Sequence, residues 1–228
     1  MPLLEVSNLR VRLQTHRGPA DAVRGVSFAL ERGETLGLIG ESGCGKSLTA
    51  MALMGLLPES AEVSGSIRFD GQELVGASDA QMCRLRGHRI GMVFQEPMTA
   101  LNPVLTIGHQ IDEQVLRHKK CSKAEAKKRS IEMLSLVGIP SPEERYEAYP
   151  HQLSGGMRQR AMIAMALACQ PQLIIADEPT TALDVTVQAQ ILALLKEVTR
   201  AANSALILIT HDLGVVARYA DRVCVMYG

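Results

Sequence analysis

Hydrophobic and polar residues alternate along the first part of the chain. Residues 3–14 largely alternate between the two classes, with the period of two that is typical of a half-buried strand. A second strand is expected over 22–30, after a turn at Gly18 and Pro19, and a short apolar strand over 35–40. The first part of the chain is therefore predicted to be rich in β-structure.

Other stretches have the spacing of helices. Residues 48–57 are apolar on nearly every side, as in a buried helix, and Pro58 is expected to end it. Residues 105–116 and 123–137 repeat apolar positions at helical intervals. The second of these follows Ser122, which opens a capping-box sequence. Together they predict a mostly helical insert in the middle of the chain.

The last third returns to buried strands. Residues 173–176 and 205–209 are apolar runs of strand length, and a helical stretch over 187–200 lies between them. Such strand–helix–strand units imply a parallel sheet covered on both faces. The chain ends at 223–228, inside what the pattern indicates is another strand, so we expect a C-terminally truncated protein.

Composition narrows the possible partners. The formal net charge is zero and aromatic residues make up 3% of the chain, so neither a basic surface nor stacking platforms for nucleic acid are expected. The five cysteines form no CxxC pair, which argues against a zinc or iron–sulfur site. Apolar runs fall short of the ~20 residues that span a bilayer, so contact with a membrane is expected to come through a partner.

A glycine-rich loop follows the apolar strand over 35–40. Gly40, Gly45, Lys46 and Ser47 satisfy the pattern G-x-x-x-x-G-K-[ST], in which backbone N–H groups and the lysine surround phosphate oxygens. A helix after the loop adds the partial positive charge of its N-terminus. The residues expected to contact the nucleotide here are Gly40, Glu41, Ser42, Gly43, Cys44, Gly45, Lys46, Ser47 and Leu48.

Two carboxylates follow the strand over 173–176. Asp177 is placed to hold Mg²⁺, and Glu178 is placed to polarise a water aimed at the γ-phosphate. An acidic turn after a strand is common, so this pair alone is weak evidence for a catalytic site. The phosphate loop in the same chain makes the assignment specific.

A second glycine motif, at Ser154, Gly155 and Gly156, precedes a helix. Alone it is either a helix cap or another anion site. In this order with the other motifs, the chain resembles the ATP-binding-cassette (ABC) ATPases, whose signature is Leu-Ser-Gly-Gly. The resemblance covers almost the whole chain: residues 40–47 match the Walker A loop and 173–178 the Walker B strand.

Three further motifs carry the same resemblance. Gln95 is similar to the glutamine of the family's Q-loop, residues 181–184 to its D-loop, and His211 to its switch histidine. The resemblance implies that Glu178, His211 and Gln95 are catalytic and that Ser47, Gln95 and Asp177 hold Mg²⁺. It also implies that the cofactors are ATP and Mg²⁺.

The resemblance also implies a fold and an assembly. The fold class is α/β: a P-loop NTPase core with a mixed sheet, an antiparallel β subdomain and a mostly α-helical subdomain inserted between Walker A and Walker B. In a single domain over 1–228, the RecA-like core covers about 1–95 and 166–228, and the helical subdomain about 96–165. The family forms a head-to-tail dimer, so Ser154 and Gly156 are expected to contact the γ-phosphate of ATP bound by the other subunit. Gly155 and Asp184 are also expected to bind the nucleotide.

Three segments point to one branch of the family. Residues 96–103, 151–160 and 177–188 are similar to the oligopeptide and dipeptide importers, a branch that also contains nickel and glutathione importers. This implies a second ATPase subunit, identical or not, two integral-membrane permease subunits and, indirectly, a periplasmic or extracytoplasmic substrate-binding protein. The chain would then lie on the cytoplasmic face of the inner or plasma membrane.

Other members of the superfamily remain alternatives. ATPases of DNA repair insert long coiled coils between the two glycine motifs, and no heptad seam is visible here. Translation factors carry two cassettes on one chain, and a regulator that does not hydrolyse ATP would not need Glu178. One departure concerns adenine, which the family stacks on an aromatic residue before the Walker A loop. Here His16 or Arg17 would have to cover the base.

Overall fold

A computed structural model describes residues 1–16, 18–181 and 183–227. The strands within these ranges are β1 (Leu4–Thr15), β2 (Gly18–Leu30), β3 (Thr35–Gly40), β4 (Glu62–Phe69), β5 (Gln72–Glu73), β6 (Ile90–Val93), β7 (Leu173–Asp177), β8 (Ala205–Thr210) and β9 (Arg222–Met226). The helices are α1 (Lys46–Met54), α2 (Asp79–Leu85), α3 (Pro97–Ala100), α4 (Ile107–His118), α5 (Lys123–Leu136), α6 (Pro142–Tyr146), α7 (Gly155–Leu167), α8 (Val185–Ala201) and α9 (Leu213–Tyr219).

An antiparallel sheet has the strand order β2-β1-β4-β5. The prediction of a turn at Gly18 and Pro19 is wrong. Both residues belong to β2, where they pair with Thr15 and Gln14 of β1. Proline has no N–H to donate to a sheet ladder, but β2 is an edge strand and tolerates it there.

The central sheet is parallel, with the order β6-β7-β8-β3-β9. Nearly every residue of β3, β7 and β8 is buried, as expected for parallel strands that are covered on both faces. The antiparallel and the parallel strand pairs thus lie in two separate sheets, in keeping with the predicted α/β fold class. The carboxyl ends of β7, β8 and β3 lie side by side, so the segments that follow them meet at one edge.

Two hydrophobic clusters lie on the opposite faces of the central sheet. One contains Ile174 and Ala176 of β7 together with helices α4, α5 and α7. The other contains Leu173 and Ile175 of the same strand together with β1, β2, β4 and α1. The antiparallel sheet and the helical insert therefore share the central sheet as a common layer.

The helix after the glycine-rich loop is shorter than its apolar pattern. It ends at Met54, not at Pro58, because Gly55 adopts the left-handed conformation at φ 60°. The Gly55 N–H donates to the carbonyl of Ala52, which closes the helix end. Glycine reaches this conformation without steric cost, so it stops the helix before the proline does.

The helical insert agrees closely with the sequence prediction. Helix α5 begins after Ser122, whose side chain accepts from the N–H of Glu125 and forms the expected capping box. Between α4, α5 and α6, the half-buried carboxylate of Asp112 accepts hydrogen bonds from Ser130 and Tyr146, each at 2.5 Å. Of the helices in the described ranges, none combines the length and hydropathy that a bilayer crossing requires.

Candidate active site

The glycine-rich loop connects β3 to α1 and depends on its glycines. Gly43 and Gly45 have φ angles of 85° and 94°, in the left-handed region. A Cβ atom on Gly45 would also lie 2.6 Å from the carbonyl oxygen of Ala22. Only glycine fits here, so the loop can curl tightly around the N-terminus of α1, where unpaired N–H groups attract anions.

The Lys46 ammonium lies inside this loop. It donates to the carbonyl oxygens of Gly40 at 2.8 Å and Glu41 at 2.9 Å. The residue is only 5% exposed, so its charge is concentrated where a phosphate would meet the helix N-terminus. The thiol of the buried Cys44 lies 3.8 Å from the same ammonium.

A cleft of about 510 Å³ opens in front of the loop. Its lining residues are Ser42, Gly43, Gly45, Lys46, Ser47, Leu48, Gln95, Glu178 and His211. This volume is within the usual range for small-molecule sites. The structure thus brings the phosphate loop together with the three residues expected to be catalytic.

Asp177 lies at the end of β7, behind the Ser47 side chain. It is 4% exposed, and burial raises the pKa of its carboxyl group, although a hydrogen bond from the Ser47 hydroxyl opposes that rise. Among the described residues, its buried Oδ1 has no hydrogen-bond partner. A buried, unpartnered carboxylate oxygen beside a hydroxyl is a suitable ligand pair for a hard cation such as Mg²⁺.

The described residues contain no cluster of three or more His, Cys, Asp or Glu side chains that could hold a metal ion. Mg²⁺ usually needs only one or two carboxylates when substrate phosphates and waters supply the other oxygens. The donor set of Ser47, Asp177 and Gln95 therefore fits a cation held jointly by protein and nucleotide.

Glu178 has an unusual backbone conformation. Its φ angle is 43°, in the left-handed region that non-glycine residues rarely adopt. The backbone N–H donates to the carbonyl of Ile209 at 3.0 Å, which ties it to the end of β8. Such strain persists only where the surrounding structure enforces it, and it is common at functional sites.

Neighbouring side chains surround the Glu178 carboxylate. Its Oε2 accepts from Nε2 of Gln95 at 3.3 Å and from Oγ1 of Thr181 at 3.0 Å. Nδ1 of His211 lies 3.5 Å from Oε1. The side chain is only 17% exposed, so the carboxylate is positioned at the wall of the cleft and not free in solvent.

The second glycine motif lies elsewhere. Ser154 caps α7 by accepting from the N–H of Met157, and Gly155 and Gly156 face Leu183 and Val187. Asp184 caps α8 by accepting from the N–H of Val187 at 2.9 Å. In the described part of the chain, none of Ser154, Gly155, Gly156 and Asp184 lines the cleft.

The residues proposed to cover adenine are only partly described. His16 is exposed and is not among the residues that line the cleft. Arg17, the other candidate, and Ala182 of the D-loop-like segment lie outside the described residues.

Thr181 was not singled out as a site residue from the sequence. Its hydroxyl contacts the Glu178 carboxylate, and its N–H donates to the Glu178 carbonyl at 3.2 Å. A hydroxyl residue three positions after a strand-end glutamate was the available signal, because the intervening turn returns it to that glutamate.

Comparison with known proteins identifies similar proteins. A family model described as ABC transporter matches residues 23–181. The chain is 60% identical over 227 residues to the dipeptide transport ATP-binding protein DppD of Bacillus subtilis (strain 168). It is 55% identical over 225 residues to the oligopeptide transport ATP-binding protein OppD of Salmonella typhimurium.

These relatives are longer than the chain. The match covers 99% of this chain in both cases, but 68% of the Bacillus protein and 67% of the Salmonella protein. A second Bacillus relative, the oligopeptide transport ATP-binding protein OppD, is 55% identical over 227 residues and 63% covered.

Solved structures of ATP-binding cassettes share the fold. The dimeric post-hydrolysis state of the cassette MJ0796, bound to ADP and Pi, matches with a TM-score of 0.87 and 28% identity. That match covers 98% of this chain and 94% of the other. CbiO1 of Clostridium perfringens, part of the transporter complex cbiONQ, matches with a TM-score of 0.80 and 30% identity over 99% of this chain and 84% of the other.

Proposed function

This chain belongs to the ABC transporter family, and from that membership we propose that it binds and hydrolyses ATP to drive the import of dipeptides or oligopeptides. The observation that carries the proposal is the cleft that joins the phosphate loop to Gln95, Glu178 and His211. The peptide cargo rests on relatives that are 52–60% identical and are named for dipeptide or oligopeptide transport.

The glycine-rich loop and Lys46 bind the triphosphate. The N–H groups at the start of α1 donate to phosphate oxygens, and the helix dipole adds to their attraction. Lys46 exchanges its hydrogen bonds with Gly40 and Glu41 for bonds to the β- and γ-phosphates. Those contacts hold the γ-phosphate in front of Glu178.

Ser47, Asp177 and Gln95 are the residues that would hold Mg²⁺. When bound, the ion neutralises charge on the β- and γ-phosphates. The unpartnered Oδ1 of Asp177 supports this assignment.

Glu178 accepts a proton from the attacking water. The water oxygen forms a bond to the γ-phosphorus while the bond to the bridging oxygen breaks, and ADP leaves with that electron pair. His211, at the cleft wall, donates a hydrogen bond to the γ-phosphate. Most of the rate enhancement comes from this positioning and charge stabilisation.

A second ATPase subunit completes the site. The Ser154 motif caps a helix outside the cleft of its own chain, so it is available to close over ATP bound by a partner. The MJ0796 structures are dimers, which supports this arrangement. The partner is either a second copy or a related cassette.

The proposal includes the division of the chain into a RecA-like core, about 1–95 and 166–228, and a helical subdomain, about 96–165. Helices α3 to α7 all begin within the second range, which supports the division. Between the two parts lies an apolar cleft of about 230 Å³, on whose walls Leu56 and Phe94 are partly exposed. Two integral-membrane permeases would dock here, on the cytoplasmic face of the membrane, and a substrate-binding protein would act through them.

The proposed function is tested by reconstituting the full transport complex in vesicles with its binding protein. Di- or oligopeptides are expected to stimulate ATP hydrolysis and to enter the vesicles only when ATP and Mg²⁺ are supplied. Stimulation by nickel or glutathione instead would overturn the cargo assignment and leave the ATPase intact. Peptide uptake without ATP hydrolysis would overturn the proposed activity itself.

A further inference from the structure

The two oxygens of the Glu178 carboxylate have different surroundings. Oε2 receives two hydrogen bonds, from Gln95 and Thr181. Near Oε1, the described residues place only Nδ1 of His211, at 3.5 Å, which is longer than a normal hydrogen bond. Within the described residues, Oε1 therefore accepts no hydrogen bond as short as those to Oε2, and its neighbour His211 also lines the cleft.

Of the two donors to Oε2, Thr181 is the more firmly placed. The turn from Glu178 to Thr181 is closed by a backbone bond of 3.2 Å, and the hydroxyl bond of 3.0 Å closes it a second time. A threonine side chain has a single restricted torsion. Gln95 reaches the same oxygen at 3.3 Å with a longer side chain from the segment after β6.

We propose that Thr181 is a positioning residue for ATP hydrolysis, which holds Oε2 of Glu178 so that Oε1 faces the attacking water. The inference rests on the proposed function of Glu178 as the general base. The water proton moves to Oε1, the water oxygen bonds to the γ-phosphorus, and ADP leaves with the electrons of the broken bond. Without the hydroxyl, the Glu178 carboxylate samples other rotamers. The base is then correctly oriented towards the attacking water for a smaller fraction of the time.

The test compares three variants in the full ATPase complex. Thr181→Val removes the hydroxyl and keeps the branched shape, Thr181→Ala removes it in a second way, and Thr181→Ser keeps it. We expect the kcat for ATP hydrolysis to fall about 10-fold in Thr181→Val and Thr181→Ala, the scale of one hydrogen bond to a charged group, and to stay near wild type in Thr181→Ser. KM for ATP is expected to change less than about 2-fold, because the hydrogen bond between Thr181 and Glu178 makes no contact with the nucleotide.

A double-mutant cycle separates positioning from general damage. In a Glu178→Gln background, Thr181→Val is expected to cause no further loss, because the base it orients is already gone. An equal loss in both backgrounds overturns the inference. So does a kcat that is unchanged in both Thr181→Val and Thr181→Ala, or a loss that is expressed in KM. If Glu178→Gln alone leaves turnover at the wild-type level, the proposed role of Glu178 is overturned instead. The two failures are therefore distinguishable.

Discussion

At the scale of single residues, Glu178 combines an unfavourable backbone with a constrained side chain. Its left-handed φ angle costs about 1–3 kcal/mol, and the bond from its N–H to Ile209 helps to hold it. The same conformation directs the carboxylate towards Gln95 and His211 in place of the solvent. The strain is thus tied to the orientation of the proposed base.

Replacing Glu178 with glutamine is expected to separate binding from hydrolysis. The amide keeps the shape of the side chain but accepts a proton poorly, so ATP should still bind while turnover falls at least ~10²-fold. Single-turnover hydrolysis and a nucleotide-binding assay measure the two effects. Glu113→Gln, on the exposed side of α4, is the matched control and should keep wild-type turnover. Near-normal turnover in Glu178→Gln would mean that another group, with His211 the first to test, is the base.

Replacing Lys46 with alanine is expected to abolish ATP binding. The variant loses a buried charge and two donor positions, each worth about 1.5–3 kcal/mol to a charged acceptor, so affinity should fall at least ~100-fold. Isothermal titration with Mg·ATP measures it. Lys120→Ala, between α4 and α5, is the control. Unchanged affinity for nucleotide in Lys46→Ala would contradict the assignment of the phosphate loop.

The sequence motifs predicted the residues that line the cleft. This was possible because a motif such as the one that contains Lys46 requires a particular backbone geometry. Hydrogen bonds between distant segments were not predictable. The contact of Gln95 with Glu178 depends on the adjacency of β6 and β7, which are separated along the chain by the whole helical insert. The contact of Thr181 depends on the local turn.

At the scale of elements, long periodic segments were predicted well and short ones were missed. Helices α4 and α5 have clear spacing and were expected within two residues of their observed ends. Helix α2 and strand β6 contain seven and four residues, too few to show a period. Helix α2 begins after Ser78, which forms a capping box with Gln81.

The cap of α5 is expected to contribute measurably to stability. Ser122 accepts from the N–H of Glu125 at 3.3 Å, and the Glu125 carboxylate accepts from the Ser122 N–H at 2.7 Å. Ser122→Ala should lower the free energy of unfolding by about 1 kcal/mol, as measured by urea denaturation. Ser135→Ala, at an exposed position near the end of the same helix, should be neutral or slightly stabilising. Equal effects of the two substitutions would show that the cap contributes nothing.

At the scale of the whole molecule, the phosphate loop and the Ser154 motif lie in different places on the surface. In the proposed dimer, each chain would therefore supply halves of two different sites, and each site would be completed by the other chain. The start of α7 packs against Leu183 and the start of α8, and its residues are not among those that line the cleft.

Mixing two inactive variants is expected to restore activity if copies of this chain pair head to tail. Lys46→Ala damages one half-site and Ser154→Arg the other, so a mixed dimer keeps one intact site. An equal mixture should recover on the order of a quarter of wild-type turnover, since half the dimers are mixed and each has one site. Each variant alone serves as the control. No recovery in a mixture shown to form mixed dimers would exclude this pairing.

The strands of the central sheet face two different neighbours at alternate positions. Leu173 and Ile175 pack on the side of the antiparallel sheet, whereas Ile174 and Ala176 pack on the side of the helical insert. Substitutions at odd positions of β7 are therefore expected to alter packing against the antiparallel sheet and α1, and those at even positions to alter packing against the helical insert. Because the two faces of β7 belong to separate clusters, a substitution that alters the packing on one face can leave the packing on the other face in place.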